Sequence, residues 1–205
     1  MQGFLEALKT QRWDDHRYYH HSRINQSLHF LSALSFIASY VAILTGHFTL
    51  AALLGWLLAM VSRQSGHFFF EPKGYDEVNQ ATHEHKEEIK VGYNLRRKVV
   101  LHVIWALAPV LLWLSPTFFG IWGAPAQGWA AVVDRVAALW IAIGIGALLF
   151  RTVHLFFLRD VQTGLAWLTK ILTDPFHDVM LYYKAPLFLL RGELMDPMRG
   201  ASHRA

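Results

Sequence analysis

The sequence predicts an all-α, polytopic membrane protein of about four spanning helices, and three observations carry that expectation. Hydrophobic residues fill 54% of the 205 positions and charged residues only 17%. Soluble domains are about 25% charged, so a lipid-facing surface explains the deficit more simply than a buried bundle does. Four apolar segments approach the roughly 20 residues that one crossing requires. Finally, Lys and Arg are confined to alternate connections.

The elements follow in order along a single membrane domain, residues 1–205. Residues 1–21 carry Lys9, Arg12, Asp14, Asp15 and Arg17 and contain no apolar run, so no cleavable signal peptide is expected there. The expected spans are residues 28–45, 49–62, 99–115 and 130–150. The second is short, and is read as tilted, re-entrant, or extended by the amphipathic residues after it. Between them lie a turn at Thr45-Gly46-His47, a charged loop over 63–98 and an uncharged loop from Ser115 to Gln127. The N-terminal stretch, the 63–98 loop and the 151–205 tail hold every Lys and Arg except Arg135. The positive-inside rule therefore predicts cytoplasmic N- and C-termini. The net charge of +4 then reflects topology and anionic lipid and implies no nucleic-acid partner. A bacterial inner membrane and an endoplasmic reticulum membrane fit equally. In the tail, Val153 to Phe157 and Leu165 to Leu172 read as interfacial amphipathic helices. Leu181 to Leu190 reads as a short segment lying on the membrane, because Pro186 opposes a straight span.

Cysteine is absent, which excludes disulfides, thiolate metal sites and cysteine nucleophiles. Histidine is abundant, with 12 residues, and on this topology all but His47 fall at or beyond the inner face. Imidazole is the commonest transition-metal side-chain ligand, and without thiolates any site here is imidazole plus carboxylate, a mix suited to non-heme iron. Asn25 and His29, His67 and Glu71, and His83 and Glu87 are each four apart and share a helix face. His20 and His29 are nine apart, on opposite sides of a continuous helix, and converge only if the chain breaks between them. Ser22 is the expected cap of the new helix. His20, His29 and His67 are the principal ligand candidates and His83 a fourth. His85, His154 and His177 are open between ligand and solvated surface, whereas His16, His47, His102 and His203 read as polar anchors. The basic cluster Arg96, Arg97 and Lys98 reads as a topology determinant or as a partner for an anionic headgroup.

Tyr19-His20-His21 with Asn25 and His29, followed by a hydrophobic hairpin and then Gly66-His67 with Phe70-Glu71, resembles the membrane-bound 2-hydroxy fatty acid dioxygenase family of fatty-acid α-oxidation. The likeness covers about the first 75 residues. It departs from the family pattern at Pro72-Lys73-Gly74-Tyr75 and at Arg63, and the third and fourth spans have no clear counterpart. The resemblance implies an Fe(2+) enzyme that uses dioxygen to shorten a 2-hydroxy fatty acid by one carbon. It makes His20, His29 and His67 iron ligands, Glu71 a ligand or the carboxylate that orients His67, and Asn25 a residue holding a ligand or the substrate headgroup. The rival expectation is a b-type cytochrome-like subunit with paired axial histidines.

Overall fold

Local chemistry breaks the chain where the histidines require it. In the computed structural model, which describes residues 3–71 and 74–198, helix α1 (Phe4–Tyr19) ends before His20 and α2 (Arg23–Leu44) begins afresh. Ser22 has extended backbone, and its side chain accepts from the Asn25 backbone N–H at 3.4 Å. That contact satisfies one of the donors left open at a helix start.

At the far end of α2 the chain reverses through Thr45, Gly46 and His47. Gly46 takes φ +78°, a conformation that side chains with a Cβ disfavour. The returning stretch comprises α3 (Phe48–Leu53), a π-helical segment over Leu54–Met60 and α4 (Val61–Phe69), together one helix of 22 residues. The apolar run therefore understates this element, because its last turns carry Arg63, Gln64 and His67. Ala51, Gly55 and Ala59 are buried at four-residue spacing. Small residues so placed let two helices approach closely inside a membrane. Ser39 donates across the gap to the Ala51 carbonyl at 2.8 Å.

The charged connection holds α5 (His83–Ile89), capped by Thr82. A second hairpin follows, α6 (Leu95–Leu114) and α7 (Gly128–Leu158). Val153 to Phe157, expected as a separate interfacial helix, is the last part of α7. No breaker occurs before Asp160, which caps α8 (Val161–Tyr182) by accepting from the Thr163 N–H at 2.7 Å. Leu165 to Leu172 is the middle of α8. The segment from Leu181 to Leu190 is divided, with α8 ending at Tyr182 and α9 (Ala185–Leu190) carrying Pro186 in its first turn, where a missing N–H costs nothing.

The chain is thus all-α among its described residues, apart from isolated bridges, and four helices are long and apolar enough to cross a membrane: Arg23–Leu44, Phe48–Phe69, Arg96–Leu114 and Gly128–Leu158. Its polarity is inverted relative to a soluble fold. Leu44, Trp113, Trp129 and Phe157 stand exposed, whereas of the seven largest fully buried side chains only Leu155 is apolar. Lipid-exposed exteriors and polar residues turned inward are what a bilayer environment selects. Helix α2 is the hub, packed by α4, α8 and α9. Trp56 joins the two hairpins, donating to the Trp140 carbonyl at 2.8 Å and stacking on Trp105.

Candidate metal centre

The break between α1 and α2 leaves the last carbonyls of α1 without helical partners, and the first turn of α2 supplies them. Asn25 donates its side-chain amide to the Tyr19 carbonyl at 2.8 Å, and Gln26 donates to the His20 carbonyl at 2.8 Å. A later segment closes the other side. The Arg23 N–H donates to the Leu194 carbonyl at 2.9 Å, the Asp196 N–H to the His21 carbonyl at 2.7 Å, and Arg23 pairs with Asp196. His20 is therefore held from both flanks.

Helix α4 brings the third imidazole. It crosses α2 so closely that a Cβ on Gly66 would collide with the Asn25 side-chain oxygen and touch the His29 ring at 3.4 Å. Glycine before His67 is a steric requirement. The outcome is a buried group, His20, His29 and His67, whose ligand atoms all lie within 4.8 Å of one another. His20 Nε2 and His29 Nε2 are 3.1 Å apart. Two nitrogens each about 2.1 Å from one ion and bound at adjacent positions would be separated by about 3.0 to 3.4 Å. The spacing matches. Around the rings, His20 Nδ1, His29 Nδ1 and Asn25 Oδ1 lack hydrogen-bond partners. Three imidazoles and no thiolate form a donor set that suits a divalent first-row metal.

His20 lies outside the spanning helices, and its burial, reinforced by neighbouring His29, holds its pKa well below the ordinary imidazole range, so it stays neutral as a ligand must. Behind His67, Nδ1 pairs with Glu71 Oε2 at 2.7 Å, and Lys90 pairs with the other Glu71 oxygen at 3.0 Å. The carboxylate thereby orients the ring and leaves Nε2 for a metal. Behind His29, Asp178 Oδ2 stands 3.8 Å from Nδ1 and is fixed by Arg63 at 3.0 Å. The Tyr182 ring packs against His20 and His29, with its hydroxyl 3.1 Å from His16 Nδ1.

His83 is not in this group; it opens α5, and the close cluster consists of three histidines from α2, α4 and the break. Asn25 meets the carbonyl of Tyr19 and braces the peptide of His20. His85 packs edge-on against Tyr18, His154 lies beside Arg151, and His102 bonds to the Lys98 carbonyl. His47 sits exposed at the turn, and His203 lies outside the described residues. The sequence reading missed Arg63, Asp178 and Tyr182 as neighbours of the site. One signal marks the last two: Lys170, Asp174, Asp178 and Tyr182 recur every four residues along α8, and all four are buried.

Next to the triad is a cavity of about 420 Å³, lined by residues of all four spanning helices and α8. His67, Tyr19 and Lys98 lie among its polar walls, and Phe36, Trp56 and Ile145 among its apolar ones. Comparison of the chain with protein-family models, curated proteins and solved structures finds no significant match.

Proposed function

We propose that the protein is an iron(II)-dependent dioxygenase that acts on 2-hydroxy fatty acids at the cytoplasmic face of a membrane. It consumes dioxygen and releases a fatty acid one carbon shorter, together with carbon dioxide and water. The observation that carries this reading is the convergence of His20, His29 and His67 beside a largely apolar cavity between apolar helices. The resemblance of Tyr19-His20-His21, Asn25, His29 and Gly66-His67 with Glu71 to the dioxygenase family supports the same chemistry.

In this reading His20, His29 and His67 hold the ion. An iron(II) ion held there would supply electrons for dioxygen activation and open positions for the substrate's oxygens. Glu71 keeps the His67 ring oriented, and Asp178 places a negative charge behind His29. The apolar walls take the acyl chain and exclude bulk water, while the polar end of the cavity receives the hydroxy-carboxylate. The acyl chain reaches the site from the bilayer in which it is dissolved.

The b-type cytochrome reading fares worse on geometry. Axial ligands stand on opposite faces of a porphyrin, about 4 Å apart with the macrocycle between them. The His20 and His29 rings have centroids 4.1 Å apart and nitrogens 3.1 Å apart, which leaves no room for a planar ring between them.

Metal analysis of detergent-purified protein, read beside its visible spectrum and its oxygen uptake with 2-hydroxypalmitate, tests the proposal. The expected result is one iron per chain, no Soret band, and substrate-dependent uptake that H20A, H29A and H67A each abolish. A Soret band, or iron content indifferent to all three substitutions, would overturn it.

A further inference from the structure

The cations that line the cavity differ in one respect. Arg63 is paired with Asp178, Lys90 with Glu71 and Glu87, and Lys170 with Asp174 at 2.6 Å and Asp15 at 3.0 Å. Lys98 lines the same cavity and, among the described residues, has no carboxylate partner. Its neighbours Arg96 and Arg97 are exposed, whereas Lys98 is half-buried at the start of α6. The nearby acids Asp15 and Glu71 are already committed to other lysines. A half-buried ammonium without a carboxylate of its own is costly unless an anion joins it.

The walls describe the remainder of that anion. Along the second spanning helix the lining runs from Ala51 to His67, about 24 Å at 1.5 Å per residue. One leaflet of hydrocarbon is only about 15 Å deep, half of the ~30 Å core, so the lining outruns a leaflet. A long single chain ending in one negative charge has the complementary shape.

We infer that Lys98 is the anchor for the carboxylate of a long-chain fatty acid, holding the head of the ligand beside His67 while the chain lies between the two hairpins. This deepens the proposed function and rests on it for the hydroxy acid as substrate. The charge of Lys98 selects acids over alcohols and aldehydes of the same length. It also fixes which end of the chain reaches the imidazoles, because the opposite end of the cavity is apolar. Lys98 is accordingly a positioning residue and does not itself touch the metal.

Trp56 and Trp167 line the cavity and report its occupancy. Quenching of their fluorescence by doxyl-labelled palmitate, displaced by unlabelled palmitate or cetyl alcohol, measures binding to the full chain in detergent. Lys98→Met is expected to weaken palmitate about ten-fold, the size of one lost charge-assisted contact, and to leave cetyl alcohol unchanged. Lys98→Arg is expected to restore the preference for the acid. Equal loss of both ligands would reduce Lys98 to packing, and unchanged palmitate binding would make it a cation that merely reaches for lipid phosphate; either result overturns the inference. Iron content measured on the same samples separates the two readings. Palmitate selectivity that depends on Lys98 in protein without iron would keep the anchor and remove the dioxygenase, and iron-supported turnover indifferent to Lys98 would do the reverse.

Discussion

The two hairpins are built from the same kind of apolar helix yet do different work. About a third of the most apolar window of each helix in the first hairpin is buried, against 11% for α6 and 22% for α7. In the first hairpin small residues pull the helices together, and Asn25, His29 and His67 are turned inward. The second hairpin shows most of its surface outward and meets the first through large side chains, Trp105 and Trp140 against Trp56. Close packing around polar groups makes a rigid ligand set, whereas loose packing by bulky aromatics leaves space. In the proposed function the first would hold the ion and the second would admit the acyl chain.

Perturbations should therefore hurt unequally. The largest effect is expected at the first hairpin's support. Glu71→Gln keeps the shape but removes the charge behind His67, and should weaken metal affinity about 10- to 100-fold, measured by competition with a chromophoric chelator. On folding stability the largest cost falls to Lys170→Met, which leaves Asp174 buried against a shrunken set of cations and should cost about 3 kcal/mol in thermal unfolding. The same cluster sets a pH dependence. Burial pushes Asp15 up, but Lys170 with other nearby cations outweighs it and holds the carboxyl well below its usual range. Burial pushes Lys170 down, but Asp15 and Asp174 outweigh it and hold the ammonium above its usual range. A depressed acid loses its contribution as pH falls through its folded pKa, and a raised base loses its own as pH rises through its folded pKa. Because His20 is held neutral, the unfolding midpoint should already decline below the ordinary imidazole value of about 6.5, and the Asp15–Lys170 pair should add a further loss below the ordinary carboxylate value of about 3.9, with Asp15→Asn flattening only that last acid limb. Gly66→Ala should cost about 1 to 3 kcal/mol by forcing α4 away from Asn25, seen as a lowered midpoint. The smallest effect belongs to the second hairpin. Val103→Ala, on the outward face of α6, should change stability by no more than about 0.5 kcal/mol.

The same contrast explains what could be read from the residues alone. Helical class, four apolar segments and the break at Ser22 were legible because periodicity, length and capping are local properties. The triad was legible because His20, Asn25, His29 and His67 recur at telling intervals around the start of the first span and the end of the second. His83 misled because a histidine in a charged run has the right chemistry, and its distance from the cluster depends on how the 70–94 connection folds. The second helix is extended by the amphipathic residues after its apolar run, one of three readings the residues left open, because Arg63, Gln64 and His67 lower its hydropathy and the Asp178 that pairs with Arg63 lies on α8. Asp178 and Tyr182 were invisible without knowing that α8 docks on α2, although their four-residue rhythm was available. The preference for Lys98 over Arg96 and Arg97 required knowing which of three adjacent cations faces the cavity.

The short ribbon at residues 194–196 that braces His21 and Arg23 carries an implication for biogenesis. The first imidazole of the centre is translated at position 20, yet the backbone that steadies it emerges some 170 residues later. A nascent chain stalled before Leu194 would contain every histidine of the triad and still lack the clasp that keeps the first one in place. In the proposed function, metal loading would accordingly be a late step of maturation that follows assembly of the whole bundle.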